Sequence, residues 1–172
     1  PCFVVCIGGY LDRFDILYKE DNTIKDSKEV RSYLQSKKKK LFSYEIFENL
    51  DLSKGNYEEL EFQFSSFVGC NFTQSSWNKS HLLFSNLQNT MLKNTKMEKM
   101  KIFDTDFSGA TLEQVDFAGA KIKHVSFAGA KLIQVDFSKV LLAEEINFQD
   151  AQIVDCKFPE EVGSGLLYHE NR

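Results

Sequence analysis

Apolar side chains return every fifth residue along most of this chain. From Phe47 the series runs through Leu52, Tyr57, Phe62, Phe67, Phe72, Trp77, Leu82, Leu87, Leu92, Met97, Ile102, Phe107, Leu112, Phe117, Ile122, Phe127, Leu132 and Phe137 to Leu142, with no polar interruption. A helix cannot use this pattern, because steps of five advance ~500° and smear the residues around its surface. A plain strand is excluded as well, because its side chains alternate with a period of two. Two residues before each member lies a second inward position, usually small or β-branched, as in Ser65, Cys70, Ser75, Thr90, Thr95, Ala110, Val115, Ala120 and Val135. Two inward positions separated by one polar residue make a short strand with one buried face. Several units close on glycine (Gly69, Gly109, Gly119, Gly129), the residue that accepts the positive φ of a tight turn.

Each five-residue unit is therefore one side and one corner, and four sides make a square coil of 20 residues in which residue n stacks on n+20. The pattern predicts an all-β solenoid whose lumen is filled by Phe67, Phe72, Trp77, Phe107, Phe117, Phe127, Phe137, Phe148 and Phe158. After Leu142 the register slips by one residue, so a bulge or loop is expected within 143–147, with Phe148, Ile153 and Phe158 continuing the series. The expected length is about 5.75 coils, or roughly 28 Å at ~4.8 Å per coil.

The stretch FSGATLEQVDFAGAKI over 107–122 resembles the pentapeptide-repeat family, whose motif is Ala-(Asp/Asn)-Leu-x-x. The resemblance is strong over 100–158 and degenerate but in register over 47–99. It implies a right-handed quadrilateral β-helix. Some members of the family imitate DNA, bind gyrase or topoisomerase IV and confer quinolone resistance, so the resemblance brings those enzymes in as candidate partners. Such imitation requires a strongly acidic rod. Here Asp106, Asp116 and Asp136 are interspersed with lysines, which departs from that requirement. The resemblance also admits a third role, as the repeat domain of a larger bacterial effector or enzyme.

The ends do not follow the repeat. Residues 1–46 are expected to form an N-terminal cap. In it Cys2–Ile7 is a strand ended by Gly8 and Gly9, and a helix spans about 27–41, begun by a capping box at Asp26 and Glu29 and buried through Val30, Tyr33, Leu34 and Leu41. The run Lys37–Lys40 then sits at the helix end, as a solvated face that favours the negative terminus or as a contact for nucleic acid or membrane. Pro159 stops the ladder, and 159–172 is expected to be a polar tail. Pro1 in place of Met is read as removal of an initiator Met or as excision from a longer chain.

Composition adds bounds. At 172 residues, 42% hydrophobic and 27% charged, the chain suits one folded domain. The net charge of −4 is too mild to announce a nucleic-acid binder. The sequence holds neither an apolar run of membrane-spanning length nor a secretory signal. Cys2 and Cys6 lack metal-site spacing, and Cys70 and Cys156 fall on inward positions as small hydrophobes, which points to reduced thiols and a cytoplasmic setting. His81, His124 and His169 are scattered, and the motifs of hydrolases, metalloproteases and phosphate loops are missing. The reading is thus a protein with no catalytic residues, cofactor, metal or small-molecule substrate.

Function is then sought on the outer surface. Phe64, Leu83, Phe84 and Phe103 occupy outward positions related by steps of 20, forming a candidate protein-binding patch or homodimer surface. Lys79, Lys99 and Lys139 share one outer column and Lys101 and Lys121 the next, with Lys123 beside them, as a candidate basic edge for an acidic partner. Gln74, Asn94, Gln114 and Gln134 form an amide column of structural use. The leading expectation is a rigid, non-enzymatic scaffold for protein–protein interaction.

Overall fold

The fivefold period becomes a parallel β-solenoid of about six turns. The computed structural model of the chain describes residues 26–36 and 40–159. A helix, α1 (Ser27–Leu34), precedes ten short strands: β1 (Leu41–Ser43), β2 (Glu61–Gln63), β3 (His81–Leu83), β4 (Met91–Lys93), β5 (Lys101–Phe103), β6 (Thr111–Glu113), β7 (Lys121–Ser126), β8 (Lys131–Ile133), β9 (Leu142–Asn147) and β10 (Gln152–Val154). One side of the coil is a six-stranded sheet in the order β1-β2-β3-β5-β7-β9, and another is a four-stranded sheet in the order β10-β8-β6-β4. The other two sides are joined by single parallel bridges such as Ser66↔Asn86 and Asp116↔Asp136.

The lumen is the core. The members of the series from Phe47 to Phe137 are buried, as is Phe148, while Phe158 on the last coil is partly buried. Rings stack along the axis, with Phe47 on Phe67 at 5.1 Å, Phe107 on Phe127 at 5.2 Å and Phe117 on Phe137 at 5.0 Å. Trp77 sits among Phe62, Phe67 and Phe72 and donates its indole N–H to Ser75 Oγ at 3.1 Å. The second inward positions are mostly hydroxyls in the upper coils, with Leu50, Leu60, Cys70 and Met100 among them, and Ala or Val below. The hydroxyls are satisfied by backbone carbonyls, as in Ser80 Oγ to Tyr57 O at 2.6 Å and Thr95 Oγ1 to Phe72 O at 2.9 Å, so their burial costs little. Cys70 takes the same place, its Sγ 3.2 Å from the Phe47 carbonyl, and burial pushes its thiol up to about 12.

The corners explain the polar half of each unit. The residue before the large inward side chain accepts a bond from the N–H two positions on, as in Asn71 Oδ1 from Thr73, Asp106 Oδ1 from Ser108 and Asp136 Oδ1 from Ser138. This side chain serves a turn N–H that no neighbouring coil reaches. The unit then closes on a left-handed residue, which is glycine at four corners and Asn, Lys, Gln, His or even Phe at others.

Three expectations are corrected. The helix ends at Leu34 with Gln35 as its C-cap, and Leu41 lies on β1 paired with Glu61. The coil thus begins before residue 47: Phe42 is fully buried and stacks on Phe62 at 5.1 Å, one unit ahead of the series. The slip falls earlier than 143–147. Leu141 N still bonds Ala120 O, the bond expected for a step of 20, whereas Leu142 pairs with Lys121 and Ala143 with Ile122, a step of 21. The extra residue is taken up as a bulge over 139–142, where Gly119 N already bonds Lys139 O, one residue further on than the Ala118 O that Lys99 N bonds a coil above. It swings Leu142 out of the lumen and puts Ala143 in its place.

α1 covers the top of the coil. Asp26 is its N-cap, Val30 and Leu34 are buried, and Tyr33 meets Phe42 edge-on at 5.5 Å. The open edge of the first coil is satisfied there, since Asp51 N donates to Ser27 Oγ at 2.9 Å and Arg31 Nη2 donates to Asp51 O at 2.9 Å. The strand expected at Cys2–Ile7, the lysines 37–39 and the tail beyond 159 lie outside the described residues.

Candidate interaction face

The outer face of the six-stranded sheet gathers both surface features that the sequence separates. In each three-residue strand of this sheet the middle residue points into the lumen and its two neighbours point outward, so β5 presents Lys101 and Phe103 on either side of buried Ile102. Register then builds columns. Leu83 on β3 lies over Phe103 on β5, and Lys101 lies over Lys121 on β7.

Along the corner beside this sheet runs an aromatic ladder. Tyr44 stacks on Phe64 at 5.2 Å and Phe64 on Phe84 at 5.0 Å, both pairs within 8° of parallel. The three are 68%, 47% and 52% exposed. Each is also left-handed, with φ of 60°, 52° and 53°. For bulky side chains this is a rare and strained state that Asn or Gly adopts at lower cost. Nothing in the fold requires aromatics here, because the same column continues with Asp104, His124 and Glu145. Tyr44 belongs to this patch, and sequence reasoning missed it by starting the coil at Phe47.

The basic edge is only partly basic. Lys79 lies 3.6 Å from Glu59, which also holds Lys40 at 3.1 Å, and the Lys40 bond is the main cause of the lowered Glu59 pKa. Lys123 pairs with Glu144 at 3.1 Å, His81 faces Glu61 at 3.5 Å, and His124 is held between Asp104 at 3.0 Å and Glu145 at 3.3 Å. Lys139 follows the Gly119 corner, its carbonyl accepting from Gly119 N at 2.8 Å. Among the described residues Lys99, Lys101 and Lys121 have no carboxylate at salt-bridge distance. Below Lys121 the bulge brings Leu142 to the surface, preceded by Leu141 at 72% exposure. In the amide column Gln114 Nε2 donates to Gln134 Oε1 at 3.1 Å, which ties two coils together.

Among the described residues no cluster of His, Cys, Asp and Glu is arranged to hold a metal ion, and no helix is long and apolar enough to cross a membrane.

Comparisons with known proteins agree with this geometry. The family profile described as "Pentapeptide repeat region" matches residues 70–148. No curated protein matches the chain. Among solved structures, a trypsin-treated variant of QnrB1, described as a plasmid-mediated fluoroquinolone resistance protein, superposes with a TM-score of 0.61 at 18% identity, covering 69% of this chain and 60% of QnrB1. The pentapeptide-repeat protein Rfr23 from the cyanobacterium Cyanothece 51142 gives 0.58 at 16% identity, covering 75% of this chain and 98% of its own. At these identities the likeness is one of fold.

Proposed function

Given a pentapeptide-repeat protein with the square coil of its kind, we propose that this chain is a non-catalytic scaffold whose outer six-stranded face binds another protein. A β-solenoid offers a long rigid surface and little concave chemistry. The observation that carries the reading is the ladder Tyr44–Phe64–Phe84: apolar, solvent-facing and held in a backbone state that aromatic residues avoid. Stacking returns to the monomer about what the left-handed strain costs it, so the rings bring the monomer little net gain, whereas a rigid aromatic ridge suits a protein contact.

The strain makes the test specific. Asn already occupies left-handed corners at Asn49, Asn89 and Asn94. Phe64→Asn with Phe84→Asn should therefore leave the melting temperature unchanged or raise it, by the equivalent of about 0.5–1 kcal/mol per site. In affinity capture from the source-cell lysate the same double variant should lose the partner that the wild-type chain retains. Equal retention by a folded variant removes the ladder from the interface and this reading with it.

Imitation of duplex DNA toward gyrase or topoisomerase IV suits the surface less well. The column that carries Asp116 and Asp136 has Lys96 above and Lys157 below, and Lys157 lies 3.7 Å from Asp136. Gyrase supercoiling should accordingly proceed unchanged when the protein is added in excess.

A further inference from the structure

We propose that the polypeptide seated on this face is an acidic segment with interspersed apolar side chains, its carboxylates held by Lys101 and Lys121 and its apolar groups lying on Phe84, Phe103 and Leu141. The proposal rests on the scaffold reading above and adds the chemistry of the partner.

Charge balance on the face is the argument. Around this sheet other basic side chains each meet a carboxylate within the chain: Lys40 and Lys79 share Glu59, Lys123 meets Glu144, His81 faces Glu61, and His124 lies between Asp104 and Glu145. Lys101 and Lys121 are the exception. They are direct register partners on adjacent parallel strands, which sets their backbones ~4.8 Å apart. Like charges directly opposite each other destabilise a sheet. The neighbour above Lys101 is His81, the neighbour below Lys121 is Leu142, and the outward residue beside Lys121 is Lys123, already neutralised by Glu144. Lys99, at the corner entering β5, adds positive charge rather than removing it. An anion supplied from outside is what this pair lacks.

The surroundings favour a polypeptide over a nucleic acid as the source of that anion. Lys101 shares β5 with Phe103, about 6.6 Å along the strand. The bulge exposes Leu141 beside Lys121, and bulges commonly re-aim side chains next to functional sites. Aliphatic and aromatic groups flanking a lysine pair match a peptide that alternates acidic and apolar residues. Phe64 and Phe84 are already stacked on each other and leave no gap for a base.

The experiment is selection from a displayed library of random 12-residue peptides on the wild-type chain. The selected pool is then bound to Phe64→Asn/Phe84→Asn and to Lys101→Glu/Lys121→Glu, and each variant's fold is checked by circular dichroism and melting. Lys101→Met/Lys121→Met serves as a second charge-removing pair. The expected pool is rich in Asp and Glu with Phe, Leu or Trp. Its best member should lose about 10-fold or more in affinity on the glutamate pair and several-fold between low and moderate salt. A pool that is neutral or basic, yet lost on the Asn pair, overturns the acidic partner while the scaffold reading stands. A pool indifferent to both pairs, or an empty one, overturns both. A 12-nucleotide single strand or a 12-base-pair duplex that binds more tightly than the best peptide, and is lost on the glutamate pair, assigns the lysines to nucleic acid and overturns the proposal.

Discussion

Asn89 lays its amide over the glycine one coil below. A Cβ built on Gly109 would stand 2.5 Å from Asn89 Oδ1, at a φ of +68°. At Gly129 the φ is similar, +61°, but nothing lies within 4 Å of such a Cβ. Both positions need a left-handed residue, and only one also needs the space. Gly129→Ala should thus lose only the left-handed strain of about 1 kcal/mol, and Gly109→Ala clearly more. Adding Asn89→Gly, which accepts the φ of 57° at that corner, should recover most of the difference. Thermal melts of the three variants decide it, and equal losses at the two glycines would show that the packing of Asn89 is irrelevant. The glycines were visible as corners in the sequence because they recur at one phase of five. The aromatic corners were not recognised as strained, since neither Phe64 nor Phe84 carries a local signal for positive φ.

At the scale of elements, two competing periods account for where the helix and the slip depart from expectation. Val30, Tyr33 and Leu34 lie on one helical face, and Leu41 extends that face by a further two turns. Leu41 is equally the residue before Phe42, which is itself five before Phe47. Burying Phe42 on Phe62 and pairing β1 with β2 wins over prolonging a lone helix. The slip was legible as a change of phase but not in its place, because Leu141 and Leu142 both look like lumen residues, whereas the pairing sets Ala143 opposite Ile122 and leaves both leucines outside the lumen. The slip also decides the charges. The step of 21 sets Glu144 beside Lys123 and Glu145 beside His124, where a step of 20 would have offered Lys123 an alanine. In the sequence Lys123 belongs to a basic edge, and in the fold it is neutralised. As for the cap, Leu34 is buried against the first coil, so Leu34→Ala should destabilise by about 2–4 kcal/mol. By uncovering a strand edge it should also make the protein associate at high concentration, as sedimentation would report. A monomer with an unchanged melting temperature would mean α1 is dispensable.

For the whole molecule the turn carboxylates set the response to acid. The bonds from Ser53 hold Asp51 below its ordinary pKa, those from Ser138 do the same for Asp136, and Lys40 does so for Glu59. A carboxylate depressed in the folded state stabilises the fold above its unfolded pKa of about 4, and that contribution fades as pH falls through the folded value. The melting temperature should therefore stay level from neutral pH to about pH 5 and fall below pH 4. Asp136→Asn keeps the acceptor for Ser138 N–H, as Asn71 and Asn86 do in their own turns, and should soften the fall. An acid profile identical to that of the wild type would remove Asp136 from the account.

A coil that repeats every 20 residues offers a guest nearly the same footing on successive rungs. The ladder of Tyr44, Phe64 and Phe84, being three similar rings at even spacing, would by itself let a bound chain slide from one step to the next. Lys101 and Lys121 break that translational degeneracy, because they occur together at one height only. If the proposed segment is seated on this surface, the rings would supply grip, and the unmatched ammonium groups would serve as the detent that stops it at a single position.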